Sequence, residues 1–211
     1  MLTTTSVDSN TQEPLRLMAI HAHPDDESSK GAATMAKYVR EGVEVMVVSC
    51  TGGERGDVLN AAAQELVDQL GIHEVRQREM AEAAHILGVQ HEWLGFMDSG
   101  FTEGEPLPED AFALVPLEVS VPPLVKLIRK FRPQVVTTYD ENGGYPHPDH
   151  IQTHVITIAA IQDAADPHAH PDLGPAHVVQ KVYYNQQFHK ARVVALHELL
   201  VAQKIESPYV E

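Results

Sequence analysis

Two stretches of the chain concentrate side chains that could do chemistry. Between His21 and Glu27 lie two imidazoles and three carboxylates (His21, His23, Asp25, Asp26 and Glu27), with Pro24 turning the chain outward. Between Tyr145 and His150 lie His147, Asp149 and His150. So much negative charge at the end of an apolar segment is costly unless something positive sits among it, and a divalent metal meets that need. A catalytic zinc takes three His or carboxylate ligands and keeps a position for water. Two histidines and one aspartate drawn from both stretches would satisfy it. Imidazole and carboxylate also suit iron and manganese. The first stretch alone can equally be a solvated turn in which Asp25 or Asp26 caps a following helix. The second stretch makes a two-loop site available.

For the two stretches to meet, the elements ahead of them must end on one rim. Apolar β-branched runs predict strands at 15–22, 43–50, 91–96, 134–139 and 178–187. Helical patterns fall at 28–42, 73–88, 123–131, from about 151, and at 190–204. Gly-, Pro- and acid-rich segments at 51–60, 97–111 and 140–150 read as loops. This alternation predicts an α/β fold, Rossmann-like, with a mostly parallel sheet and helices on both faces. In such sheets ligands bind beyond the carboxyl ends of the strands, which places both stretches at the C-terminal rim.

Composition narrows the function. At 211 residues and 43% hydrophobic, the chain suits one domain, expected over 15–211 after a polar disordered tail at 1–14. The tail lacks the basic and apolar regions of a secretion signal, and no apolar run is long enough to span a membrane, so a cytoplasmic protein with no membrane partner is expected. A net charge of −15 argues against nucleic acid and favours a small ligand. The single cysteine, Cys50, excludes an internal disulfide and reads as a buried inert thiol. Thirteen histidines do not by themselves prove a metal site, since several lie in the Pro-rich stretch 166–171.

The string around His23, Pro24, Asp25, Asp26 and Glu27, and the later His147-Pro148-Asp149-His150, resemble the signatures of the GlcNAc-phosphatidylinositol de-N-acetylase superfamily, also called LmbE-like. The longer strings 21–31, 51–56 and 139–150 are similar to its mycothiol S-conjugate amidase branch, and the resemblance runs from about Leu15 to about Phe188. It implies one zinc per chain, with iron an alternative in vivo, held by His23, Asp26 and His150. It implies Asp25 as general base, and His147, oriented by a carboxylate taken to be Asp149, as a group that helps stabilise or protonate the collapsing intermediate; a charged His147 would supply the proton that an amine leaving group needs. Tyr145 would assist the oxyanion. Substrate contacts are expected from Lys30, Arg76, Asp98 and Glu54, although each could be solvated surface. Lys30 resembles a lysine typical of the amidase branch. His21 could orient a ligand or be a satisfied buried histidine.

The resemblance implies a zinc-dependent amide hydrolase that cleaves mycothiol S-conjugates to a mercapturic acid and glucosaminyl-inositol, a detoxification reaction. The alternatives are an N-acetyl-glucosaminyl-inositol deacetylase of mycothiol biosynthesis, a metal- or sugar-binding protein without catalysis, and a metallophosphoesterase, which would need more ligands. The expected partner is a small thiol conjugate or amino sugar, with self-association open. Amidase-branch chains continue well beyond the strand at 178–187, so either this is a short member or a C-terminal portion is absent.

Overall fold

The computed structural model describes residues 13–58, 60–185, 189–207 and 209. Most of the expected tail (1–12) and the end of the fifth expected strand (186–187) lie outside the described residues. Five strands form: β1 (Arg16–His21), β2 (Glu44–Thr51), β3 (Gln90–Phe96), β4 (Val135–Thr138) and β5 (Lys181–Tyr184). The helices are α1 (Asp26–Ser29), α2 (Ala32–Arg40), α3 (Ala61–Leu70), α4 (Ile72–Leu87), α5 (Leu117–Phe131), α6 (Pro148–Ala165) and α7 (Lys190–Ala202).

The strands make one parallel sheet in the order β3-β2-β1-β4-β5. Strand order reverses between β1 and β4, which opens a crevice at their carboxyl ends. The chain leaves β1 into His23–Glu27 and leaves β4 into the loop that ends at His147, so both motifs flank that crevice.

Strand periodicity divides the core. Met18, Ile20, Met46, Val48 and Cys50 face Leu124, Ile128 and Phe131 of α5 and Ile156 and Ala160 of α6. Their alternates Leu17, Ala19, Val45 and Val47 face Met35 of α2 and Met80 and Ala84 of α4. Side chains of period two thus bury both sheet faces, as the near-continuous apolar strands require. Burial pushes the Cys50 thiol up to about 12, which keeps it inert.

Several boundaries differ from expectation. The helix expected at 28–42 is broken at Lys30 and Gly31, where Gly31 takes φ 112°. Helix α3 lies in a segment assigned no element from sequence, and no side chain of it is buried. Helix α5 begins six residues before the expected start at 123 and carries Pro122 and Pro123 inside it. Their missing N–H groups would have met the carbonyls of Glu118 and Val119, both exposed residues, where water can take over. Helix α6 begins at Pro148 rather than near Ile151, so Asp149 and His150 belong to a helical first turn and not to a loop. Among the described residues no helix is long and apolar enough to cross a membrane.

Arg129 joins α5 to the end of α6. Its side chain is buried and lies 2.7–3.3 Å from the carbonyls of Asp163, Ala164, Asp166, Ala169, His170 and Gly174. A methionine there would fill similar volume and leave those acceptors without a donor. We expect Arg129→Met to destabilise the fold by about 3–5 kcal/mol in denaturant unfolding, and a loss below about 1 kcal/mol would remove the clasp role.

Candidate metal and catalytic site

The crevice brings both motifs together. One imidazole nitrogen from each of His23 and His150 and one carboxylate oxygen of Asp26 lie within 4.8 Å of one another. Asp26 Oδ2 is 3.7 Å from His23 Nδ1 and 3.6 Å from His150 Nε2. His150 arrives on the first turn of α6, and its Nδ1 is fixed by Gly143 O at 3.0 Å. Gly143 has φ 73°, and a Cβ on it would lie 2.8 Å from His150 Cβ, so this close approach needs a glycine.

The electrostatics are shared unequally. Burial, only partly offset by Asp26, pushes His150 down to about 3 and keeps its ring neutral. Burial would also depress His23, but its hydrogen bonds to Asp149 and Asp26 and the charges of Asp26 and Asp98 outweigh it and raise it to about 10. Burial opposes ionisation of Asp26, yet His23, Lys30 and His150 outweigh it and hold the carboxyl well below its usual range. An ionised aspartate and two imidazoles are a suitable donor set for a divalent metal. The fit shows most clearly at His150 Nε2, a buried nitrogen that has no hydrogen-bond partner and lies beside Asp26 Oδ2.

Asp26 is gripped on both oxygens. Tyr139, fully buried at the end of β4, donates its hydroxyl to Oδ2 while accepting from Ala22 N at 2.9 Å. The Lys30 ammonium sits on Oδ1. Tyr139 was not foreseen from sequence, where it reads only as the last residue of a strand. Its ring stacks on His150 with centroids 4.2 Å apart, a contact that phenylalanine would keep. Carboxylates that bind metal depend on such partners for their aim. Tyr139→Phe is therefore expected to weaken divalent-metal binding about 10–100-fold in chelator competition, and unchanged affinity would exclude the aiming role.

The expectation that Lys30 contacts substrate is corrected by this geometry. Its side chain is buried on Asp26 and Ser29 and does not line the cleft, because the break at Gly31 turns it inward. Glu54 also lies behind the cleft wall. It accepts from Asp98 N at 3.2 Å and approaches His73 at 3.5 Å, so it supports the loop rather than the cleft surface.

Around the cluster is a cleft of about 290 Å³ lined by Asp25, Arg76, Asp98, Phe101, Tyr145 and His147, among others. Asp25 has φ 127°, a strained value for a non-glycine, held by its own N–H to Glu27 Oε2 at 2.8 Å and by Ser28 N to its carbonyl at 3.0 Å. Burial and the charge of Asp26 raise its carboxyl above the usual range, against the pull of Arg76, whose Nη1 lies 3.2 Å from Asp25 Oδ2. Asp98 accepts from Gly100 N at 2.7 Å and lies 3.9 Å from His23 Nε2. Phe101, from the loop after β3, sets its ring 5.5 Å from His147. Phe101 was not singled out from sequence, although Asp98 of the same loop was, and a parallel sheet delivers that loop to the same rim.

Asp149 does not orient His147 through its carboxylate, contrary to the expectation. Oδ2 meets His23 Nε2 at 3.1 Å and Ser99 N at 2.9 Å, and Oδ1 accepts from Ala113 N at 3.1 Å. Its backbone N–H instead donates to His147 Nδ1 at 3.2 Å, because His147 is the N-cap of α6. Burial and then the positive His23 lower the His147 pKa, so the ring is neutral near pH 7 rather than charged. Burial and nearby carboxylates raise Tyr145, which stays a phenol able to donate. His21 is buried with neither ring nitrogen partnered, and burial lowers it to about 4, so it orients no ligand.

Comparison with known proteins adds an independent line. Residues 18–161 match the family model described as PIG-L, GlcNAc-PI de-N-acetylase. The chain is 60% identical over 203 residues to the mycothiol S-conjugate amidase of Streptomyces coelicolor, covering 93% of this chain and 69% of that protein. It is 46% identical over 181 residues to the 1D-myo-inositol 2-acetamido-2-deoxy-alpha-D-glucopyranoside deacetylase of Geodermatophilus obscurus, covering 80% of this chain and 60% of that one. The fold is shared with N,N'-diacetylchitobiose deacetylase from Pyrococcus horikoshii, at TM-score 0.66 and 21% identity over 94% of this chain and 72% of the other.

Proposed function

The chain belongs to the family of GlcNAc-PI de-N-acetylases, and from that premise we propose that it is a zinc-dependent amide hydrolase acting on mycothiol S-conjugates. The observation that carries the reaction class is the convergence of His23, Asp26 and His150 in a cleft that also presents Asp25. The choice of substrate rests on 60% identity to an S-conjugate amidase against 46% to a deacetylase. The chain spans 69% and 60% of those two relatives.

In this reading His23, Asp26 and His150 hold the metal. Zinc there supplies Lewis acidity, making water easier to deprotonate near neutral pH and drawing electron density from an amide carbonyl. Asp25 takes the proton of the attacking water, a task its raised pKa suits. Neutral His147 and the Tyr145 phenol donate hydrogen bonds to the oxygen that becomes anionic. The proton taken by Asp25 is returned to the amine nitrogen as the carbon–nitrogen bond breaks. Arg76 and Asp98 supply cleft contacts for hydroxyl groups of the sugar, and Asp149 aims His23.

A second reading, deacetylation of N-acetyl-glucosaminyl-inositol, is favoured by one observation: Lys30, the residue that set the amidase branch apart, does not line the cleft. Lys30→Ala is accordingly expected to slow both reactions to a similar degree, and a selective loss on the S-conjugate would restore its specificity role. The test of function is kcat/KM for an S-conjugate and for the N-acetyl substrate on one zinc-loaded preparation. Preference for the acetyl substrate would move the protein to the deacetylases, and turnover of neither would refute the proposal.

A further inference from the structure

The loop from Asp98 to Asp110 forms one wall of the cleft through Asp98, Gly100, Phe101 and Thr102. Its base is closed by the Met97–Ala111 bridge and by Phe112 N, which donates to Met97 O at 2.8 Å. Among the described residues, those at 101–107 make no hydrogen bond outside the loop. One side chain spans it. Arg55, in the Gly-rich segment after β2, donates from Nη1 to Asp98 O at 2.6 Å and places Nη2 2.9 Å from both carboxylate oxygens of Asp110. It therefore grips the first and last residues of the loop at once. The loop backbone at Gly100 lies against the Arg55 stem, where a Cβ would come within 2.9 Å of Arg55 Cβ. Beside it, Glu54 accepts from Asp98 N at 3.2 Å, so the peptide groups on both sides of Asp98 are held.

We propose that Arg55 is the positioning residue that keeps this loop closed against the cleft, and so sets Asp98 and Phe101 where substrate meets them. The effect on substrate, though not the closure, rests on the function proposed above. A planar guanidinium suits the task because it presents several donors in fixed directions, serving a carbonyl and a carboxylate together, whereas a lysine ammonium is a point charge. The Arg55 and Asp110 side chains are 32% and 59% exposed, so solvent screens their attraction and the pair adds little to global stability. Losing it frees the loop rather than unfolding the domain. The metal ligands are spared, because Ser99 N and Ala113 N hold Asp149 at the base of the loop without help from Arg55. What is released is 100–109, which carries Phe101 and the Gly100 N–H that fixes the Asp98 carboxylate at 2.7 Å.

The test is hydrogen exchange of the loop amides without substrate, together with zinc content and steady-state kinetics, on the full zinc-loaded chain and on Arg55→Met, Arg55→Lys, Asp110→Ala and the double variant of Arg55→Met with Asp110→Ala. Arg55→Met is expected to speed exchange across 100–109 about 10-fold and to raise KM about 10-fold, as loss of one charge-assisted tie would do, with kcat within about three-fold of the parent. Zinc content should stay at the parent value, and Arg55→Lys should fall between parent and Arg55→Met. Asp110 does not line the cleft, so a higher KM in Asp110→Ala reports positioning and not a lost contact with substrate. The double variant should be no worse than Arg55→Met, because the two residues act as one unit. Unchanged loop exchange in both single variants, faster exchange with KM at the parent value, a loss confined to kcat, or additive losses in the double variant would overturn the proposal. A parent that turns over neither substrate would overturn the proposed function and the KM effect with it, while loop exchange in the variants would still decide the closure.

Discussion

Asp25→Asn is expected to lower kcat by about 10²–10⁴-fold while leaving KM and metal content close to the parent values. Asparagine matches the shape of aspartate but cannot take a proton from water at neutral pH. It is also the right replacement for the backbone. Asp25 sits at φ 127°, and asparagine, which has the same shape as aspartate, makes no new steric demand on that backbone. Arg76 Nη1 can keep a hydrogen bond to the amide oxygen in place of Asp25 Oδ2, so that wall of the cleft should persist. Because Asp25 is outside the His23, Asp26 and His150 set, metal retention is part of the prediction. Stopped assays at saturating substrate, with metal analysis of the same sample, decide it. A kcat within a few-fold of the parent would end the general-base assignment.

The second large effect is on metal. His150→Ala should weaken divalent-ion binding by on the order of 10²–10³-fold, since zinc sites gain about 10–16 kcal/mol distributed over their ligands. Activity should fall with occupancy and return in part at high free zinc. His150 contributes the buried, unpartnered Nε2, and its neutral ring has no proton to lose before ligation. His23→Ala should cost more, because it also strips Asp149 of a partner inside the protein. The contrast with Asp25→Asn is the diagnostic: ligand variants lose metal, and the base variant loses turnover. Equal metal retention in all three would refute the assignment of ligands.

Much of this molecule was legible in its sequence. The apolar strands β1 and β2 fall within about a residue of their expected bounds, because a parallel strand buried on both faces leaves a continuous apolar run that needs no tertiary information to recognise. Both His/Asp motifs stood out for the same local reason, and strand order brought them to one rim. Less visible were elements whose sequence signal is weak or contradictory. Helix α3, assigned to no element from sequence, has an apolar face but buries none of its residues in the core. The start of α5 was hidden by Pro122 and Pro123, which normally end helices but here face outward enough for water to satisfy the freed carbonyls.

What the sequence determined by itself is the α/β order of elements, the composition of the donor set and the rim on which it stands, since these follow from periodicity and from residue types at short spacing. What only the tertiary structure decided is where individual side chains point. Lys30 turns onto Asp26 because Gly31 breaks the helix in which it would have been exposed. The Asp149 carboxylate reaches His23, 126 residues away, while its backbone serves its neighbour His147. Tyr139 becomes a clamp on Asp26 only because β4 lies beside β1. Each of these contacts depends on a backbone angle or a strand pairing fixed by packing far along the chain, and neither leaves a trace in local residue spacing.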